Sequence, residues 1–235
     1  MSIWGHVFAA MYDRMLGRME RAGLGEHRRA LLAGATGDVL EIGGGTGANL
    51  EYYGDTVRSL TIVEPEKPML RRLQQHIEQS APHAKALRAP AEDLPFNDAS
   101  FDVVVSTLVL CTVDDVPRAL RELRRVLRPG GKLLFIEHVR SDDEKLARTQ
   151  DRMLPINVRI AHGCHPNRRT LDSIRDAGFE ITSLERDTLK HAPKFIRPLI
   201  VGIATRRPGD PDRQASAGTG TSETSSERLE TPTFS

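Results

Sequence analysis

The stretch VLEIGGGTGANL, Val39 to Leu50, concentrates the residues whose types and spacing could do chemistry. An apolar run leads to Glu41 and then to Gly43, Gly44, Gly45 and Gly47, four glycines within five positions. A strand that ends in Gly-x-Gly and turns into a helix offers bare backbone and unpaired helix N–H groups to a ligand that must come close. Gly43, Gly45 and Ala48 also fit the dinucleotide fingerprint G-x-G-x-x-[GA]. Glu64 closes the next apolar run, LTIVE, where a carboxylate can accept both hydroxyl hydrogens of a ribose. Many nucleoside cofactors carry ribose, so the glycines and Glu64 leave the identity of the ligand open. After a third short run comes APAEDLPF, where a backbone N–H and a carboxylate could read an adenine edge; a plain polar loop would have the same composition.

Candidate acids and bases are few. His138 stands at the end of the apolar run KLLFIEHV, and His162, Cys164 and His165 cluster in AHGCHPN. A neutral histidine at a strand end can be satisfied by one backbone carbonyl, which is the structural alternative to a catalytic His138. The His162, Cys164, His165 group lacks the four-ligand spacing of a structural zinc site, and the distant Cys111 does not complete one, so no metal is expected. Cys111, inside VLCTV, reads as a small buried hydrophobe.

Elements that could position these residues alternate along the chain. LTIVE is followed by a helix begun at Pro68 with Leu70, Leu73 and Ile77 on one face, then KALRA. FDVVVSTLVL reads as a strand covered on both faces, and Val116, Leu120, Leu123 and Leu127 stripe a helix that must stop at RPGG. KLLFIEHV, FEITSLE and PLIVGIAT complete a count of seven strands. The rhythm predicts a doubly wound α/β sheet whose ligands sit at the carboxyl ends of strands, where the order reverses. Before the glycines, Trp4, Phe8, Met11, Met15 and Met19 recur at helical spacing, giving a helical cap over 1–35. Residues 36–207 form the main domain, with a substrate-side insertion at 141–167, and the Gly-, Ser- and Thr-rich 208–235 should be disordered.

The chain has 235 residues, with 33 basic against 32 acidic, so no overall field draws it to nucleic acid or an anionic membrane. The arginines at 121, 124, 125 and 128 read as a solvated helix face. Two cysteines far apart fit a reducing cytoplasm better than a disulfide framework. No transmembrane segment is expected, since Asp13 and Arg14 interrupt the N-terminal stripe; contact of that stripe with a membrane surface is the minor alternative to packing on the domain.

In this order EIGGGTG, VEP, AEDLPF, FDVVVSTLVL and VLRPGG resemble the class I S-adenosylmethionine-dependent methyltransferases, over roughly Tyr12 to Arg206. DVVVSTLVLCTVDD with RELRRVLRPGGKLLFIEHV is similar to the methyltransferase-like 7 proteins, thiol S-methyltransferases, and more distantly to methyltransferases of the menaquinone-biosynthesis type. The resemblance implies a Rossmann-like seven-stranded fold with S-adenosyl-L-methionine as cofactor. It implies that Gly43, Gly44 and Gly45 pass under the methionine and ribose portions, with Glu41 near the amino-acid end and Glu64 and Pro65 at the ribose. Ala91 and Glu92 would flank adenine, although many relatives carry Asp where Pro90 stands, and Thr107 and Leu108 would approach the methionyl part. The expected activity is methyl transfer to a small molecule. A thiol is the favoured acceptor, with O-, N- or C-methylation of a lipid, quinone or secondary metabolite as runner-up. His138 is the candidate base, with His162 and His165 on the substrate side. A noncatalytic cofactor-binding module and a nicotinamide dehydrogenase are the competing classes. The acceptor and the oligomeric state are not written in the sequence.

Overall fold

The computed structural model describes residues 17, 19–190 and 192–207. The stripe positions 4, 8, 11 and 15 and the tail 208–235 lie outside the described residues. Seven strands form one sheet: β1 (Gly37–Ile42), β2 (Val57–Val63), β3 (Lys85–Leu87), β4 (Phe101–Thr107), β5 (Leu127–His138), β6 (Phe179–Thr188) and β7 (Pro198–Arg206). Their spatial order is β3-β2-β1-β4-β5-β7-β6, with β7 antiparallel to both neighbours and the other pairings parallel. The order reverses between β1 and β4, the place where a doubly wound sheet opens a crevice at its carboxyl edge.

Alternation along the strands divides the core into two layers. Val39, Val103, Val105, Leu134 and Ile136 face one side, where they meet α1 (Gly25–Leu32) and α2 (Lys67–Ser80) through Leu31, Leu32, Leu73 and Ile77. Leu40, Ile42, Val104, Leu133 and Phe135 face the other, against α3 (Val116–Val126) and α5 (Thr170–Asp176) through Leu120, Leu123, Leu171 and Ile174. Both faces of the central strands are therefore covered, which is why their sequences are near-continuous apolar runs. The same alternation sends Glu41, Thr107 and His138 toward the first layer, and Ser106 and Glu137 toward the second.

Three sequence expectations change in detail. No α-helix follows the glycines: residues 45–49 turn and lead to a single 3₁₀ turn, Leu50–Tyr52. Gly43, Gly45 and Gly47 all have positive φ (57°, 57° and 93°), and a right-handed helix cannot run through such residues. FDVVVSTLVL is a strand only to Thr107, because Leu108 turns left-handed at φ 61°. RPGG does lie beyond the end of α3, but it belongs to β5. Leu127 pairs with Phe101 and Lys132 with Val103, so the intervening residues bulge out of register.

The segment that breaks the β/α alternation is organised by α4 (Glu144–Ile160), capped by Asp143, whose carboxylate accepts from the Leu146 amide at 2.8 Å. This helix is held by buried amides rather than by an apolar stripe. Gln150 Nε2 donates to the Val139 and Pro166 carbonyls at 3.0 and 2.9 Å, and its Oε1 accepts from the Ser141 amide. Asn157 Nδ2 donates to the Cys164 carbonyl at 2.8 Å. Farther along α4, Ile156 and Ile160 stand in solvent.

Candidate cofactor crevice and active site

The four glycines at the carboxyl end of β1 have different physical reasons to be there. A Cβ on Gly43 would lie 2.6 Å from Val109 Cγ2, one on Gly44 would collide with Ile62, and one on Gly47 would lie 2.7 Å from Leu50 Cδ1. At these three positions it is the protein's own side chains that need the backbone bare. Gly45 differs, since a Cβ there would meet nothing within 4 Å. Its amide donates to Glu64 Oε2 at 2.9 Å, and Glu64 Oε1 accepts from the Glu66 amide at 2.9 Å. The Glu64 carboxylate, 5% exposed, is thus fixed at the crevice by one N–H on each oxygen. Each oxygen keeps a further lone pair for a hydroxyl donor. Burial raises its pKa, partly offset by these two amides. This corner pairs open space over Gly45 with an oriented, half-satisfied carboxylate beside it.

Behind the glycines lies a buried polar network that the sequence did not reveal. Glu41 accepts from Tyr53 Oη at 2.7 Å and from Asn49 Nδ2 at 3.0 Å. Asn49 also reaches Thr107 Oγ1, and Arg28 Nη1 donates to both Asn49 Oδ1 and Thr107 Oγ1, at 2.6 and 2.9 Å. Arg28 Nε donates to Glu20 Oε1 at 2.9 Å, so a guanidinium only 3% exposed joins Glu20 to the turn after β1 and the end of β4. Burial pushes Glu41 up to about 7 even though Tyr53, Arg28 and Asn49 all pull it down. The only warning in the sequence was the acid inside an apolar strand; Arg28 and Tyr53 gave none.

Glu137 is the second organiser, on the opposite face of β5. Its Oε1 accepts from Ser106 Oγ at 2.7 Å and from the amides of Val109 and Leu110 at 3.1 and 3.0 Å; Oε2 accepts from the Cys111 amide at 3.1 Å. One carboxylate thereby sets the turn after β4, and the left-handed Leu108 carries the chain into it. Burial raises Glu137 to about 7 against the pull of all four donors. Sequence reasoning passed over it as one residue of an apolar run.

The other candidates fall on both sides of this crevice. Ala91 is 5% exposed, and Glu92 Oε1 accepts from the amides of Asp114 and Asp115, tying the loop after β3 to the start of α3. Pro65 follows Glu64, and its carbonyl accepts from Arg88 Nε at 2.9 Å. His138 is buried with its ring against the carbonyls of Pro198 and Ile196; burial lowers its pKa to about 4, and its Nδ1 has no hydrogen-bond partner. His162 sits left-handed at φ 46° in the turn after α4. The His165 ring contacts the Gly163 carbonyl, and its amide donates to the Cys111 carbonyl at 2.7 Å. The AHGCHPN segment is thus stitched to the turn after β4, whereas His138 points to the other face of the sheet. Apart from the crevice, a cavity of about 580 Å³ opens beside Val139, Ser141 and Thr170, and most of its arginines face carboxylates: Arg140 with Asp151, Arg186 with Asp142, Arg175 with Asp172.

Comparison with known proteins agrees with this geometry. The family described as "Methyltransferase domain" matches residues 40–135, from β1 into β5. Thiol S-methyltransferase TMT1B of Homo sapiens is 37% identical over 183 residues, 74% of each chain. Thiol S-methyltransferase TMT1A of the same organism is 34% identical over 181 residues, 74% of this chain and 73% of that one. Among solved structures, a SAM-dependent methyltransferase of Thermotoga maritima superposes with a TM-score of 0.65 at 22% identity, covering 86% of this chain and 99% of the other, a likeness of fold. With a sheet order that reverses at a glycine-lined crevice, an oriented Glu64 at its mouth and these relatives, the chain belongs to the class I S-adenosylmethionine-dependent methyltransferases, close to the thiol S-methyltransferase group.

Proposed function

We propose that the enzyme methylates the sulfur of a small-molecule thiol. The observation that carries this reading is the likeness to thiol S-methyltransferases over about three quarters of both chains. In the binding mode proposed here, the space over Gly45 takes the donor's ribose, with Glu64 accepting from its hydroxyls and Pro65 beside it. Ala91 and Glu92 lie at the adenine, Thr107 and Leu108 at the methionyl chain, and Glu41 toward the ammonium group, with Gly43 and Gly44 shaping the floor. S-adenosylmethionine supplies a methyl carbon already activated by its sulfonium. The protein's part is to align the acceptor behind that carbon and exclude water.

The acid–base character of the site also favours a thiol. A thiol with a pKa near 8.5 is partly ionised at neutral pH and needs no strong protein base. His138, with a pKa of about 4, is neutral there and too weak a base for an alcohol. We assign it a positioning role, and give His162 and His165 the acceptor side through their tie to the turn after β4. In the same proposal residues 36–207 form the methyltransferase domain, 1–35 cap it, 141–167 shape the acceptor side, and the enzyme works in the cytoplasm. No helix among the described residues is long and apolar enough to cross a membrane.

Methyl-labelled donor incubated with a panel of alkyl thiols, phenols, quinols and amines tests the acceptor. Label should appear on thiols, at a rate that rises with pH toward the thiol pKa. Transfer confined to phenols, quinols or amines would replace this reading with O-, C- or N-methylation. Donor binding without transfer to any of them would favour a noncatalytic binding module.

A further inference from the structure

Two thiols far apart in sequence meet inside the protein. Cys111 Sγ and Cys164 Sγ lie 3.7 Å apart, in residues 1% and 8% exposed. Both backbones are clamped. The Cys111 amide is held by Glu137 Oε2 and its carbonyl by the His165 amide; the Cys164 carbonyl is held by Asn157, and its amide donates to the Ala161 carbonyl at 3.0 Å. Arg168 Nη1 adds a bond to the Leu110 carbonyl at 2.7 Å. The thiols therefore bridge the turn after β4 and the segment after α4, the two pieces of chain that face each other on the acceptor side. Methyl transfer as derived above uses neither of them.

We propose that Cys111 and Cys164 form a site of reversible oxidation, in which a disulfide between them ties the turn after β4 to the segment after α4 and slows methyl transfer. An S–S bond is about 2 Å long, so the sulfurs must close by roughly 1.7 Å, a movement within reach of side-chain rotation and a small shift of the turn after α4. Contact with Cys164 and burial hold the Cys111 thiol well above the usual range, which makes the slightly exposed Cys164 the group that reacts first. With a peroxide as oxidant, the Cys164 sulfur attacks one peroxide oxygen, the O–O bond breaks, and a sulfenic acid and hydroxide form. The Cys111 sulfur then attacks the Cys164 sulfur, the S–O bond breaks, and a second hydroxide leaves. The two thiol protons convert both hydroxides to water. The thiols lose two electrons and the peroxide gains them. A reducing thiol reverses the bond by exchange, and a reducing compartment keeps the dithiol as the resting form.

The test uses the full chain, reduced and then exposed to hydrogen peroxide. Intact mass should fall by two hydrogen atoms, digestion should release a Cys111–Cys164 linked peptide, and methyl transfer should slow several-fold and recover with dithiothreitol. Cys164→Ser and Cys111→Ala should keep the rate of the untreated enzyme and lose its response to peroxide; Cys164→Ser places a small polar atom at the more exposed position, so one variant survives if the other folds poorly. Absence of the linked peptide, with Cys164 unchanged or oxidised to sulfinic acid, overturns the site. A linked peptide with an unchanged rate overturns the control. Mass and peptide readouts do not depend on which acceptor is methylated, so failure of the thiol reading and failure of this one are told apart.

Discussion

Replacing Glu41 with glutamine should abolish a pH dependence of cofactor binding whose size can be worked out from the site. In the free chain burial raises the Glu41 carboxyl from 4.5 to about 7. A group raised in this way lends stability that is full below pH 4.5 and is lost as pH rises through 7, because the folded state alone holds the proton in that window. The full span corresponds to about 3 kcal/mol. In the proposed binding mode the donor's ammonium group lies near Glu41 and favours the carboxylate. Binding then expels the proton, and affinity should rise roughly 30-fold between pH 5.5 and 8, out of a full span of roughly 300-fold, if the bound carboxyl returns to its ordinary range. Calorimetry in buffers of different ionisation enthalpy reads the proton release directly. Glu41→Gln keeps an acceptor for Tyr53 but has no proton to lose, so its affinity should be nearly flat over the same range. Identical pH dependence in wild type and variant, or binding without proton release, would refute the placement of Glu41 beside the ammonium.

Four further substitutions test separate parts of the site. Glu64→Ala should weaken donor binding by about 1.5 to 3 kcal/mol, the scale of hydrogen bonds to a charged group, as read by calorimetry at fixed pH. Gly45→Ala should leave a folded protein, with about 1 to 2 kcal/mol of left-handed strain, that binds donor poorly, since its Cβ enters open space where the ribose is placed. Gly44→Ala, whose Cβ collides with Ile62, should instead lower the melting temperature. Arg28→Met should destabilise by about 3 to 5 kcal/mol in denaturant titration, because it leaves the buried Glu41 and the half-buried Glu20 without their cation.

The sheet was legible because its physics is local and repetitive. Val39 to Ile42, Val103 to Thr107 and Leu133 to His138 are buried on both faces and therefore read as apolar runs between glycine and proline punctuation. The glycines marked the crevice, but their individual reasons were hidden: the partners of Gly43 and Gly44 are Val109 and Ile62, brought close only by the fold. The predicted helix after them failed for a related reason, since a glycine can signal either a helix start or the positive φ that prevents one. Glu41 and Glu64 stood out as acids in or beside apolar strands. Arg28, Asn49, Tyr53 and Glu137 did not, because their meaning lies in long-range hydrogen bonds that leave no periodic trace. The helix Glu144–Ile160 broke the expected alternation because Gln150 and Asn157, not leucines, fasten it.

A crystal structure with bound S-adenosylhomocysteine tests the central claim most directly. The account predicts the nucleoside over Gly45, with both ribose hydroxyls within hydrogen-bonding distance of Glu64 and the homocysteine end turned toward Glu41 and Thr107. A nucleoside seated elsewhere, or one whose sugar does not touch Glu64, would contradict it.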